Sequence, residues 1–74
     1  MRLYNLLTYH EDQLASPVKD LVKEEFNDYV ILTAFEYQFF DGSVYIIKIK
    51  NANTYKTVMV DDHEMKVIEE FTSA

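Results

Sequence analysis

The chain has no cysteine, one glycine and one proline among its 74 residues, and each shortage removes a class of function. Without cysteine there is no disulfide scaffold, no thiolate zinc site and no cysteine nucleophile. A single glycine rules out the glycine-rich loops that cradle phosphates or dinucleotides. So little glycine and proline also leaves no linker or low-complexity stretch. No apolar run approaches membrane-spanning length, and polar groups interrupt residues 1–10 too early for a signal peptide, so a cytoplasmic protein that does not bind membranes is expected. The seven Lys and Arg are scattered within a net charge of −6, so the basic footprint of a phosphate-backbone binder is missing and no direct nucleic-acid contact is expected.

What remains is rich in apolar and aromatic groups. The hydrophobic fraction is 49%, with six Tyr and five Phe, enough surface to offset chain entropy and fold. Residues 1–74 form one domain, because a chain this short supports one core. That core supplies only about 3–5 kcal/mol, which makes a homodimer a further expectation. Acidic groups are spread evenly: residues 1–34 hold six Asp and Glu against three Lys and Arg, and residues 35–74 hold seven against four.

The predicted fold class is α+β, one amphipathic helix packed on a three- to four-stranded antiparallel meander. Ser16-Pro17 reads as a helix start, with Ser as N-cap and Pro in the first helical position. The helix runs to about Asn27, and Val18, Leu21, Val22 and Phe26 form its apolar stripe. Residues 29–40 are dense in β-branched and aromatic types, as a strand requires. The first half of that strand is apolar on both faces, so the helix is expected on one side and the N-terminus or a partner chain on the other.

Asp41-Gly42 reads as the centre of a two-residue type I′ hairpin turn. Residues 43–50 return with Tyr45, Ile47 and Ile49 on the inward face. Asn51-Ala52-Asn53 makes the next turn, residues 54–60 the third strand, and Asp61-Asp62-His63-Glu64 a solvated turn before an edge strand over residues 65–71. In the N-terminal segment Leu3, Leu6, Leu7 and Leu14 permit a helix, which is the favoured reading, whereas Leu3-Tyr4 and Leu7-Tyr9 permit a short strand.

Candidate chemistry is sparse. Asp61 to Glu64 holds the densest set of metal or acid–base groups, but consecutive strand positions point to opposite faces and no ligand spacing is matched. His10, beside Glu11 and Asp12, has no nucleophile placed for it to activate. No catalytic residue, metal ligand or cofactor is expected, and the protein is not read as an enzyme. The aromatic stretch Phe35, Tyr37, Phe39, Phe40 is the best functional candidate: half of it belongs to the core, and the rest suits an interface. The predicted partner-binding residues are Tyr37, Phe39, Phe40, Asp41 and Gly42. The expected function is a protein-binding module, a small inhibitor or regulator of a larger protein. The alternative is an acidic decoy whose carboxylates imitate nucleic-acid phosphates.

Two resemblances accompany this reading. The order of helix, long strand, Asp-Gly hairpin, then Tyr55-Lys56-Thr57-Val58-Met59-Val60-Asp61 and Lys66-Val67-Ile68-Glu69, resembles PepSY and PepSY-like domains over residues 17–70. The chain has Glu64-Met65 where that family has glycine in its final turn. The likeness implies an inhibitor-like or interaction domain without catalytic residues. Gln38-Phe39-Phe40-Asp41-Gly42, with Tyr45, Ile47 and Lys48, is similar to a cystatin hairpin. Phe40 stands where cystatins have Val, and no N-terminal glycine trunk or Pro-Trp hairpin is present, so protease inhibition is not carried over.

Overall fold

A computed structural model describes residues 2–72. The elements follow in the order β1 (Leu3–Tyr9), a 3₁₀ turn (Glu11–Gln13), α1 (Ser16–Glu25), β2 (Val30–Phe39), β3 (Gly42–Lys50), β4 (Thr54–Val60) and β5 (Met65–Thr72). The five strands form one antiparallel sheet in the order β1-β2-β3-β4-β5. One expectation is thereby corrected, the sheet having five strands and not three to four, and residues 3–9 take the strand alternative rather than the favoured helix. The spacing of Leu3, Leu6 and Leu7 fits a helical face, but the segment pairs with β2 from Leu3 to Tyr9, which takes up the β1 backbone groups on that side and leaves the others at the sheet edge, and tertiary pairing overrides so short a local preference.

One face of the sheet carries the core. Ala34 and Ile47 are fully buried there, with Ile49, Val58, Val60 and Ile31 beside them, and Val22 of α1 and Leu14 cover them. Val18, Phe26, Tyr9, Tyr29, Tyr45 and Met65 pack around the rim. Tyr45, Ile47 and Ile49 face inward as the alternation predicts. The helix is shorter than predicted, ending at Glu25, and Ser16 is its first residue; Ala15 holds the N-cap position without a side-chain cap. Leu21 does not join the buried stripe: it is 45% exposed.

Three register shifts interrupt the ladders, one of them between Leu3 and Asn5 in β1, and the other two set which residues of the core-bearing strands share a face. Ile31 pairs with Ile49 and Thr33 with Lys48, so Leu32 is a bulge residue without a partner. The extra residue changes the phase of β2, placing Ile31 on the same face as Ala34. A second register shift lies between Thr57 and Val58. It places Met65 and Val67 on the covered face and Glu69, opposite Thr57, on the other. The Glu11 carboxylate accepts the Ile31 N–H at 3.3 Å and pairs with Lys23 at 3.4 Å, tying the 3₁₀ turn, the helix and the bulged start of β2 together.

Candidate functional site

Among the described residues, no element lies over the second face of the sheet. From the register, it carries Leu6 and Thr8 of β1, Thr33, Phe35, Tyr37 and Phe39 of β2, Val44, Ile46 and Lys48 of β3, and Thr57 and Met59 of β4. Phe35, Tyr37, Phe39, Val44, Ile46 and Met59 are half-buried among their strand neighbours. Tyr37, Phe39, Val44 and Ile46 line a shallow apolar hollow of about 330 Å³. The N-terminal segment does not cover this face. It extends the sheet at its edge, as β1.

The aromatic stretch is therefore divided differently from the expectation that half of it is core. Phe35, Tyr37 and Phe39 all lie on the open face, and none belongs to the buried cluster. The alternate positions toward the helix are Ala34, Glu36 and Gln38. Phe40 is neither core nor sheet face: it is 77% exposed at the tip and stacks on Tyr4 with ring centroids 5.0 Å apart.

The tip itself differs from the predicted type I′ turn. Phe39 pairs with Gly42, so Phe40 and Asp41 are the central residues. Gly42 alone among the described residues has positive φ, at 146°. A turn centred on Asp41-Gly42 would need positive φ at Asp41 and would set Phe40 opposite Ser43. The observed pairing is offset from that by two residues, which preserves the side-chain parity and so leaves the same residues facing inward. Of the predicted partner-binding residues, Tyr37 and Phe39 belong to one surface, while Phe40, Asp41 and Gly42 form the exposed tip at its end.

The helix-side face holds a polar group that the sequence reading did not single out. Glu36 is only 8% exposed, and the Tyr9 hydroxyl donates to its Oε1 at 2.7 Å. Burial pushes the Glu36 carboxyl up, but the hydrogen bond from Tyr9, with the influence of Ser43, Gln38 and Tyr45 around it, outweighs burial and holds it below the usual carboxylate value. In return the bond to Glu36, then burial, then the negative charge push the Tyr9 phenol up to about 12. Tyr45 is also raised, by burial first and by the Glu36 charge second. The signal available in the sequence was that Glu36 is the one acidic residue in residues 29–40.

The turn at residues 61–64 is built as a turn should be. The Asp61 Oδ1 accepts the backbone N–H groups of His63 and Glu64, both at 2.8 Å, and these bonds hold its carboxyl below the usual range. No group of three or more His, Cys, Asp or Glu is disposed to hold a metal ion among the described residues. No described helix is long and apolar enough to cross a membrane. His10 is exposed, its N–H bonded to Gln13 Oε1 at 3.0 Å. No family model matches the chain, and no similar curated protein or solved structure is found.

Proposed function

We propose that this protein is a non-enzymatic protein-binding module, a small inhibitor or regulator, that engages its partner through the open face of the sheet. The observation that carries the reading is the continuous set Phe35, Tyr37, Phe39, Val44 and Ile46 on a face with no second layer. Rigid aromatic side chains on paired strands make good interface anchors, since they bury large area at small entropic cost. The resemblance of residues 17–70 to PepSY-like domains implies the same class of role.

Charge placement favours apolar contact over phosphate imitation. The strand positions of the open face carry Lys48, Lys50 and Lys66 against one carboxylate, Glu69, in a chain of net charge −6. The carboxylates lie on the helix, on the turns and on the covered face. A decoy acting through the open face would present the wrong sign.

The test is binding to a partner captured from the native cell, repeated with Tyr37→Ala and Phe39→Ala proteins whose circular dichroism is unchanged. Both variants are expected to lose binding at least tenfold, and binding is expected to persist between 50 and 500 mM salt, roughly a range over which exposed-charge contacts fade. Steep salt dependence with competition by DNA or RNA would establish the decoy instead. Sedimentation of the protein alone separates a foreign partner from a second copy seated on the same face.

A further inference from the structure

The two edges of the sheet, β1 and β5, meet solvent differently. An edge strand presents a row of unpaired N–H and C=O groups to any other extended chain, and natural sheets guard such edges with charge, proline or bulges. β5 is guarded: it carries Lys66, Glu69 and Glu70, and a register shift interrupts its pairing with β4. β1, Leu-Tyr-Asn-Leu-Leu-Thr-Tyr, has neither charge nor proline. Every other strand carries at least one charged residue, so charge is missing from a strand whose place in the fold calls for it. The register shift in β1 lies between Leu3 and Asn5, and from Asn5 to Tyr9 its pairing with β2 is regular.

The backbone of this regular stretch is turned toward solvent at alternate residues. The Leu6 N–H points away from β2, where the Asn5 Oδ1 accepts it at 3.0 Å. Bonding direction alternates along an antiparallel strand, so Thr8 faces outward with Leu6, while Asn5, Leu7 and Tyr9 face Gln38, Glu36 and Ala34 of β2. The Leu6 and Thr8 side chains are themselves exposed, and no described strand lies beyond them.

We propose that β1 is a homodimer edge: the Asn5–Tyr9 stretches of two copies pair antiparallel about a two-fold axis at Leu7, joining two five-stranded sheets into one. The occupant is a second copy because the strand is its own complement. About Leu7, the outward N–H and C=O groups of Leu6 in one copy meet those of Thr8 in the other, and the reverse, as an isologous interface requires. Side-chain parity is kept: Leu6 stands opposite Thr8 on the open face, and the two Leu7 side chains meet on the covered face. The antiparallel direction also carries Arg2 of one copy toward the end of the strand where Glu11 and Asp12 of the other follow, an opposite-charge match repeated at both ends. Within the paired stretch no charge meets charge, in a chain of net charge −6. The Asn5 carboxamide holds the Leu6 N–H in the single copy, and a Thr8 carbonyl takes its place in the pair. The proposal is independent of the open-face reading, since edge pairing leaves that face free.

The test is sedimentation of the whole protein over a hundredfold range of concentration, with amide hydrogen exchange measured on the same samples. Dimer is expected to rise with concentration, and exchange at Leu6 and Thr8 to slow with it, at least tenfold at Thr8. Thr8→Pro removes an outward N–H that pairing with β2 does not use, and is expected to weaken the dimer at least tenfold. Should that variant fail to fold, Leu6→Lys, at a site already 47% exposed, is expected to weaken the dimer as much with the fold intact. Mixing Leu6→Lys with Thr8→Glu is expected to restore a dimer of one copy each, because the two substituted residues stand directly opposite each other. Tyr37→Ala and Phe39→Ala, which test the open face, are expected to leave this dimer unchanged. Monomer at every concentration, a dimer in which Leu6 and Thr8 exchange as before, or a dimer that survives both Thr8→Pro and Leu6→Lys would overturn the proposal. So would a dimer dissolved by Tyr37→Ala or Phe39→Ala, which would seat the second copy on the open face.

Discussion

Ile46 and Ile47 are adjacent and chemically identical, and they mark the difference between the two faces of the sheet. Ile47 is fully buried under α1, whereas Ile46 is half-buried on a face that only its own strand neighbours shield. Hydrophobic stabilisation scales with the area removed from water, so the same side chain contributes much on one face and little on the other. The comparison shows that apolar composition alone does not mark a core; a covering layer does. On the covered face even a carboxylate, Glu36, is accepted because Tyr9 is placed to bond it.

The comparison can be broken most directly by Ile47→Ala. Truncating a fully buried Ile costs about 2–5 kcal/mol, comparable to all that one core of this size supplies, about 3–5 kcal/mol. Urea unfolding should therefore show Ile47→Ala largely unfolded at 25 °C. Ile46→Ala should lose about 1 kcal/mol, the transfer term for a partly exposed side chain. Equal losses would mean that the open face is covered in solution, by a second copy or otherwise.

Next in size is Tyr9→Phe, which leaves a buried carboxylate without its bonded hydroxyl and should cost about 1–3 kcal/mol at neutral pH. The pH dependence has two windows. The folded-state value of Glu36 lies below its ordinary 4.5, so its stabilisation is present above that value and is lost as pH falls through the depressed one. Tyr9 is raised from 10.0 to about 12, so its contribution is fully present below pH 10 and is lost as pH rises toward 12. Acid unfolding and a spectroscopic titration of the tyrosines, compared with Tyr9→Phe, check both windows; removal of the phenol should abolish the latest-titrating tyrosine.

Gly42→Ala tests the hairpin tip. The space is adequate, since an added Cβ would sit 3.5 Å from Asp62 Oδ2, but φ of 146° is a region that side-chain-bearing residues avoid, at a cost of about 1–3 kcal/mol. Thermal unfolding measures it, and a neutral result would mean that the turn re-forms with another geometry. The smallest effect is expected for Phe40→Ala, about 0.5–1 kcal/mol from the lost stack on Tyr4. A larger loss would show that the tip is packed rather than displayed.

Much of the covered face was legible in the sequence. The strict alternation of Tyr45, Ile47 and Ile49 fixed their direction because strand side chains alternate with period two, and Asp61 and Asn51 announced turns through their capacity to bond nearby backbone N–H groups. Asn51 Oδ1 does so toward Asn53 and Thr54 at 3.0 and 2.8 Å. Tyr37 and Phe39, singled out in the sequence, do lie on one open face, while the placement of half the aromatic stretch in the core is overturned, since none of it belongs to the buried cluster.

By itself, then, the sequence determined the helix over most of its length, the strands from residue 30 onward and the inward face of β3, because these rest on local periodicity and turn chemistry. Only the tertiary structure decided that residues 3–9 join the sheet, because their backbone finds its partners in β2, some 30 residues away in sequence. It also decided the phase of β2, through a bulge at Leu32 that no local signal announces. The pairing of Tyr9 with Glu36, 27 residues apart, follows from the same long-range register. That register, which only the folded chain establishes, made one face of an apolar sheet a core and left the other open.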